Sequence, residues 1–301
     1  MLDIGYIPNY LTEVEAMSLW SKNRKMSHPE SEMSFRDART ANLHGLYRAD
    51  FDPRDLMRVN AGDSAHGLFD RSPMRPAMGP YADVMFYNWI TDYDINTTNV
   101  WHEGAVGSGT GLAIGDGDRP FATFVTGGTD NNFYQYTSKW ERVLPKAGKD
   151  IWVFTCVKTS EATLVDLWFG LSARINGGTV DATHNIFDNG AGNRYDSIGF
   201  RKDDVDVWWD AECFKDGSVS HDTSVLACEA DTLQYLGFHV EGTSRVLFYA
   251  GNTFNTMDYV AQITSNIPDN ENLAVIFGCR NGDGNARTMT IYPIWVMMDK
   301  D

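Results

Sequence analysis

The sequence predicts an all-β fold, a two-sheet antiparallel sandwich preceded by an extended, partly helical N-terminal arm. Three observations predict it. From residue 81 onward, short β-rich runs alternate with Gly, Asn, Asp and Ser at spacings of about eight to twelve positions, the pattern of a sandwich. Residues 1–80 lack that pattern and hold six of the ten prolines and seven of the twelve methionines. The charge divides at the same place: residues 1–80 carry 10 Lys+Arg and 11 Asp+Glu, and residues 81–301 carry 15 and 30. The organisation expected is therefore an arm over 1–80 and a folded body over 81–301.

The arm has two weak helical windows. Thr12 to Met26 opens with a Thr12/Glu15 capping box, and Ser34 to Tyr47 is the second. Asp52-Pro53 and the run Ser72 to Pro76 interrupt any longer element. The segment cannot bury a core alone, yet bulky residues recur in it. Trp20, Phe35, Tyr47, Phe51 and Phe69 are read as the side chains with which it docks on a neighbour.

The body reads as strands in order. Val84 to Ile90 comes first, then a long glycine-rich loop over Gly104 to Arg119, then Ala122–Val125 and Phe133–Tyr136. Ile151 to Lys158 and Leu164 to Ala173 are apolar on both alternating faces, so both are expected to be covered on both sides. A Gly/Asn/Asp-rich loop fills 176–193. Ser197–Lys202 and Val205–Asp210 flank a turn at Asp203-Asp204, and Val219–Leu226 follows. The C-terminal block adds Leu233–Val240, Val246–Ala250, Tyr259–Thr264, Leu273–Cys279 and Thr288–Met298.

Several function classes are excluded on chemistry. A net charge of −16 disfavours nucleic acid, whose phosphates repel it. Cys156, Cys213, Cys228 and Cys279 have no zinc spacing and read as free thiols, with Cys156 and Cys279 buried in apolar strands. Met1 to Gly5 lacks the opening of a signal peptide, and no apolar run approaches the ~20 residues of a membrane span. The Gly104–Arg119 glycines lack the Lys and the following helix of a phosphate cradle. Gly62-Asp63-Ser64 lacks the strand-turn-helix setting of an esterase nucleophile. Seven scattered histidines form no motif. The oxygens of Asp116/Asp118, Asp203/Asp204/Asp206 and Asn281/Asp283/Asn285 fall short of the six to eight that calcium takes, so no metal or cofactor is expected.

Sandwich glucanases often place both acids on one strand as Glu-x-Asp-x-x-Glu, which this chain lacks, so no enzymatic activity and no catalytic residue are expected. The nearest arrangement is Val205-Asp206-Val-Trp208-Trp209-Asp210-Ala-Glu212. Alternation puts Asp206, Asp210 and Glu212 on one face, with Val205 and Val207 facing the core. Trp208 and Trp209 point to opposite faces, so one is exposed. Trp208, Trp209, Asp206 and Asp210 are the candidate contact residues for glycan or protein.

Certain runs resemble a module of tailed-bacteriophage structural proteins, a concanavalin A-like lectin/glucanase (laminin-G-like) jelly roll. They are Asp196 to Asp204, with its Phe-Arg-Lys-Asp-Asp, Ala230 to Phe238, Arg245 to Ala250, Ile263 to Asp269, and Leu273 through Asn281-Gly282 to Ile291. Lys149 to Phe154 and Asp166 to Leu171 are similar to its opening strands, so the resemblance covers roughly residues 120–298. The chain departs from it at Tyr292-Pro293-Ile294-Trp295 and in a longer Ala250–Asp258 loop. The resemblance implies a jelly-roll sandwich and a virion structural protein, assembled in the host cytoplasm. The foremost expectation is a capsid decoration (cement) protein, its arm fastened to virion proteins, the major capsid protein first, with self-association such as a trimer. A tail- or fibre-associated glycan-binding module is the alternative, and a glycan hydrolase comes last.

Overall fold

The computed structural model describes residues 101–116, 120–139, 143–173, 186–187, 195–253, 256–269, 271–292 and 294–299, and the strand backbone of 84–88. For 84–88, 116, 120 and 299 only the backbone is described. All of them belong to the unit Pro53–Asp301. Trp20, Phe35, Tyr47, Phe51 and Phe69 lie outside the described residues, as do both helical windows of the arm.

In chain order the strands are β1 (Val84–Asn88), β2 (Trp101–Val106), β3 (Thr110–Asp116), β4 (Pro120–Val125), β5 (Phe133–Ser138) and β6 (Asp150–Thr159). Next come β7 (Val165–Ala173), β8 (Ser197–Lys202), β9 (Trp208–Lys215), β10 (Ser218–Ala227) and β11 (Gln234–Glu241). The chain closes with β12 (Arg245–Gly251), β13 (Asp258–Ile263), β14 (Leu273–Asn281), β15 (Thr288–Ile291) and β16 (Trp295–Asp299). All named pairings are antiparallel.

They build a nine-stranded sheet, β13-β12-β11-β6-β15-β4-β3 with β16 and β1 branching from β6, and a seven-stranded sheet, β10-β9-β8-β7-β14-β5-β2. β15 takes the Val157–Thr159 end of β6 and β16 its Ile151–Phe154 end. The all-β, two-sheet jelly-roll expectation therefore holds. Between the sheets, period-two alternation delivers one apolar set from each, including Val153, Leu236, Phe238 and Phe248 from one and Leu167, Phe169, Phe200 and Phe277 from the other.

Three local expectations fail for identifiable reasons. The glycine-rich stretch is no loop: β2 and β3 run through it, joined at Gly107, which turns at φ 93°. Gly109 permits close approach, since a Cβ there would lie 2.3 Å from the Val125 carbonyl oxygen. Thr288–Met298 is two strands divided at Tyr292–Ile294, where the sequence places Pro293. Val205 and Val207 do not face the core. β9 begins at Trp208, and Val205 sits at φ 61° with 77% of its surface exposed.

A second close approach joins β7 to β8. Gly170 and Gly199 are cross-strand partners, and a Cβ on Gly170 would stand 2.2 Å from the Ile198 oxygen and 2.6 Å from the Gly199 Cα. Both obstacles are backbone and cannot rotate away. Gly170→Ala is expected to cost at least about 2 kcal/mol, the upper range of overpacking. Urea unfolding checks this, with Gly284→Ser, which has open space around its Cβ position and no positive φ, as the comparison.

Candidate functional site

The site is built on the outer face of the seven-stranded sheet. Register aligns its outward side chains in rows across β9, β8, β7, β14 and β5: Glu212, Gly199, Gly170, Ile276 and Thr137 form one. Asp210, Arg201, Trp168, Gly278 and Gln135 form the next.

Half of this face is closed. Ile186 and Phe187 lie over it and join Trp168, Phe133 and Ile276 in an apolar cluster separate from the main core. The Arg201 guanidinium donates to the Phe187 carbonyl and, through Nε, to Asp203. Arg280 lies over the Phe187 ring, 5.5 Å from its centroid, and pairs with buried Asp166 at 2.8 Å. The second Asp166 oxygen accepts the Asp204 N–H at 3.0 Å, tying the β8–β9 turn to β7.

The other half, at β9 and β10, is open. Trp208 points outward and is 39% exposed, whereas Trp209 points inward, is fully buried, and donates its indole N–H to Gln234 at 2.9 Å. The expected division of the two tryptophans is therefore present, with Trp209 a core residue. Asp206 lies before the strand. Its carboxylate accepts the N–H groups of Val207 (2.6 Å) and Trp208 (3.2 Å), a local turn that sets the start of β9. Asp210 stands on the outward side with Trp208. Glu212 shares that side but is buried, so it is not the solvent-facing acid that alternation suggested.

A bulge in β10 completes the site. Asp222 pairs with Ala211 and Leu226 with Trp209, so Thr223, Ser224 and Val225 oppose Asp210 alone. Ser224 takes φ 61° and donates its N–H to an Asp210 oxygen at 2.7 Å. His221, paired with Glu212, is exposed beside them. Sequence reasoning missed Ser224, His221 and Arg201, because neither a bulge at a serine nor a cross-strand neighbour has a local signature.

Burial raises the Asp210 carboxyl above the ordinary range. Ser224 opposes this, and the carboxylates of Asp206 and Asp203 add to it. Inward of the acidic turn, fully buried Lys202 donates to the carbonyls of Thr163 (2.7 Å) and Val165 (2.6 Å), and burial lowers its pKa. The calcium-like trio serves its own turn. Asp283 accepts from Asn285 and Arg287, which hold its carboxyl low, and Asn281 bonds Thr126, Gly127 and Thr129. Among the described residues no group of three or more His, Cys, Asp or Glu could hold a metal ion. All four cysteines are buried thiols, and burial pushes Cys228 up to about 11.

The class so defined is a two-sheet jelly roll with an open aromatic-acidic patch at one edge of the outer face. No protein-family model matches the chain, and no curated protein matches it. Solved structures with a similar fold include a protein of unknown function from Shewanella oneidensis MR-1, with TM-score 0.47 and 12% identity over 72% of this chain and 86% of that one. Peanut lectin has TM-score 0.48 and 6% identity over 72% and 98% of the two chains. An endo-1,3-beta-glucanase from Streptomyces sioyaensis has TM-score 0.48 and 9% identity over 74% and 99%. These are likenesses of fold and say nothing of what this chain binds. The expectation of a chain without enzymatic activity does not stand, because the similar structures include that glucanase, an enzyme.

The raised Asp210 carboxyl has a definite sign. The folded state holds this proton more tightly than the unfolded chain does, so stability falls as pH rises from the unfolded carboxylate value through the folded one. Asp210→Asn keeps an oxygen for the Ser224 N–H and removes the charge. It is expected to raise the urea midpoint at neutral pH, and the gain should vanish below about pH 4.

Proposed function

We propose that this chain is a virion structural protein whose jelly roll takes host-surface glycan at the open β9–β10 edge. The observation that carries the binding half is Trp208, an exposed indole beside Asp210, with both held in place by backbone contacts. A flat apolar ring next to hydrogen-bond acceptors suits a sugar, which offers a C–H face and a rim of hydroxyls. Asp206 and Asp210 supply the acceptors, and Ser224 fixes the direction of one of them. The virion half is supported by the sequence resemblance over residues 120–298.

The second reading is capsid decoration, with the arm docked on the major capsid protein and the chain self-associated. The charge split supports it: a nearly neutral 1–80 avoids the repulsion that the acidic remainder would bring to an interface.

A glycan array separates the two. The intact chain is expected to bind, and Trp208→Ala to weaken binding at least tenfold, about 1.4 kcal/mol, with an unchanged urea midpoint. Trp209→Ala is expected to cost about 3–5 kcal/mol of stability instead. Absence of binding by the intact chain, or equal binding by Trp208→Ala, overturns the glycan reading. Decoration is read from purified capsids, which the chain without residues 1–80 is expected not to bind.

A further inference from the structure

The open edge sets an aromatic plane beside negative charge that the protein does not neutralise there. Trp208 presents its indole to solvent, and Val205 and Val207, both exposed, extend the apolar surface through the turn before it. Asp206 stands between the two valines in sequence, and Asp210 follows Trp208 on the same side of β9. Asp206 accepts the Val207 and Trp208 N–H groups on Oδ1, and Asp210 accepts that of Ser224 on Oδ1, so each Oδ2 lies outside these bonds. The carboxylates of Asp206 and Asp203 act on Asp210 as like charges, and exposed His221 acts on it in the opposite sense. Two basic side chains of β8 lie close by, and both are used elsewhere. Lys202 is fully buried and gives its ammonium to the Thr163 and Val165 carbonyls, and Arg201 gives its guanidinium to Asp203 and the Phe187 carbonyl. Among the described residues no Lys or Arg forms an ion pair with Asp206 or Asp210.

Resting on the glycan reading, we propose that the sugar taken at this edge is cationic, an amino sugar whose amine is free and not acylated. A hydroxyl satisfies a carboxylate oxygen but leaves the repulsion among Asp203, Asp206 and Asp210 as it was. An ammonium brings three donors and a positive charge in one group. The indole serves the same ligand twice, stacking on the C–H face of the ring and attracting the cation through its quadrupole. Sugars bearing carboxylate or sulfate meet repulsion instead, from the edge and from the acidic excess of residues 81–301, with 30 Asp+Glu against 15 Lys+Arg. A bare metal ion fits less well. The described residues gather no metal-holding group, and the exposed valines and indole offer a metal nothing. A lysine side chain carries the charge but lacks the flat ring face that an exposed indole accommodates.

The test measures binding of the full chain to four probes at about pH 6, where a sugar amine is protonated. They are a β-1,4-linked glucosamine oligomer, its fully N-acetylated form, a sialylated oligosaccharide and a lysine peptide of equal charge. The free-amine oligomer is expected to bind at least tenfold more tightly than the N-acetylated form. That ratio should shrink at least threefold in Asp206→Asn and in Asp210→Asn, and again when salt rises from about 0.05 to 0.5 M. Trp208→Ala should weaken both forms, and urea midpoints verify that each variant folds. Equal binding of the two forms, tighter binding of the sialylated probe, or a ratio that survives both aspartate substitutions overturns the cationic assignment while the glycan reading stands. Binding of the lysine peptide as tightly as the amine oligomer makes the edge a protein contact and overturns it as well. Binding of none of the four removes the glycan reading and this inference together.

Discussion

A β-strand has two faces, and in β6 and β7 both are dry. β7 is buried along its whole length and β6 along nearly all of it. That constraint governs the rest of the molecule. One face of each strand makes the core between the sheets, and the other then demands a second cover outside it. On β7 the cover is Ile186–Phe187 over Trp168. Buried polar groups under these covers must be paired, as Asp166 is with Arg280 and the Asp204 N–H. Strands near the centre of each sheet are thus closed on both sides, and solvent reaches the outer face of the seven-stranded sheet at its β9–β10 edge. The candidate site lies where that second covering stops.

The sequence announced this constraint plainly. Continuous apolar runs at Ile151–Lys158 and Leu164–Ala173 cannot be half-exposed strands, and reading them as covered on both faces was correct. What it concealed was the distinction between glycine as loop and glycine as spacer. In residues 104–119 glycine density resembles a turn-rich loop, but Gly109 is small because the Val125 carbonyl lies against it in a paired strand. Such a contact is made with residues distant in sequence, so no local window contains it. Val205 and Val207 failed differently. Period-two alternation was extended past the true start of β9, through a turn held by the Asp203 carbonyl and the Asp206 carboxylate.

The site was legible to the same depth. Alternation separated Trp208 from Trp209 and put Asp210 and Glu212 on one side, since each follows from a period of two. It could not say which outward acid stays wet. That is decided by neighbours: the β10 bulge brings Ser224 to Asp210, whereas Glu212, paired with Gly199 and His221, is buried. Burial and pairing are long-range properties, and the two carboxylates differ in them despite sitting two residues apart.

The open edge concentrates like charge. Asp203, Asp206 and Asp210 crowd one another, and two of the three contribute to raising the third. Lys202 could have offset them at the surface. Instead its ammonium is turned inward onto two backbone carbonyls, where burial lowers its pKa. A turn selected only for stability would gain by exchanging Asp210 for a neutral residue. Retaining the acids beside an exposed indole and a valine strained at φ 61° is a cost in folding free energy. In the proposed glycan contact, hydroxyl donors would meet the carboxylate oxygens of Asp206 and Asp210 other than those that already accept backbone N–H groups.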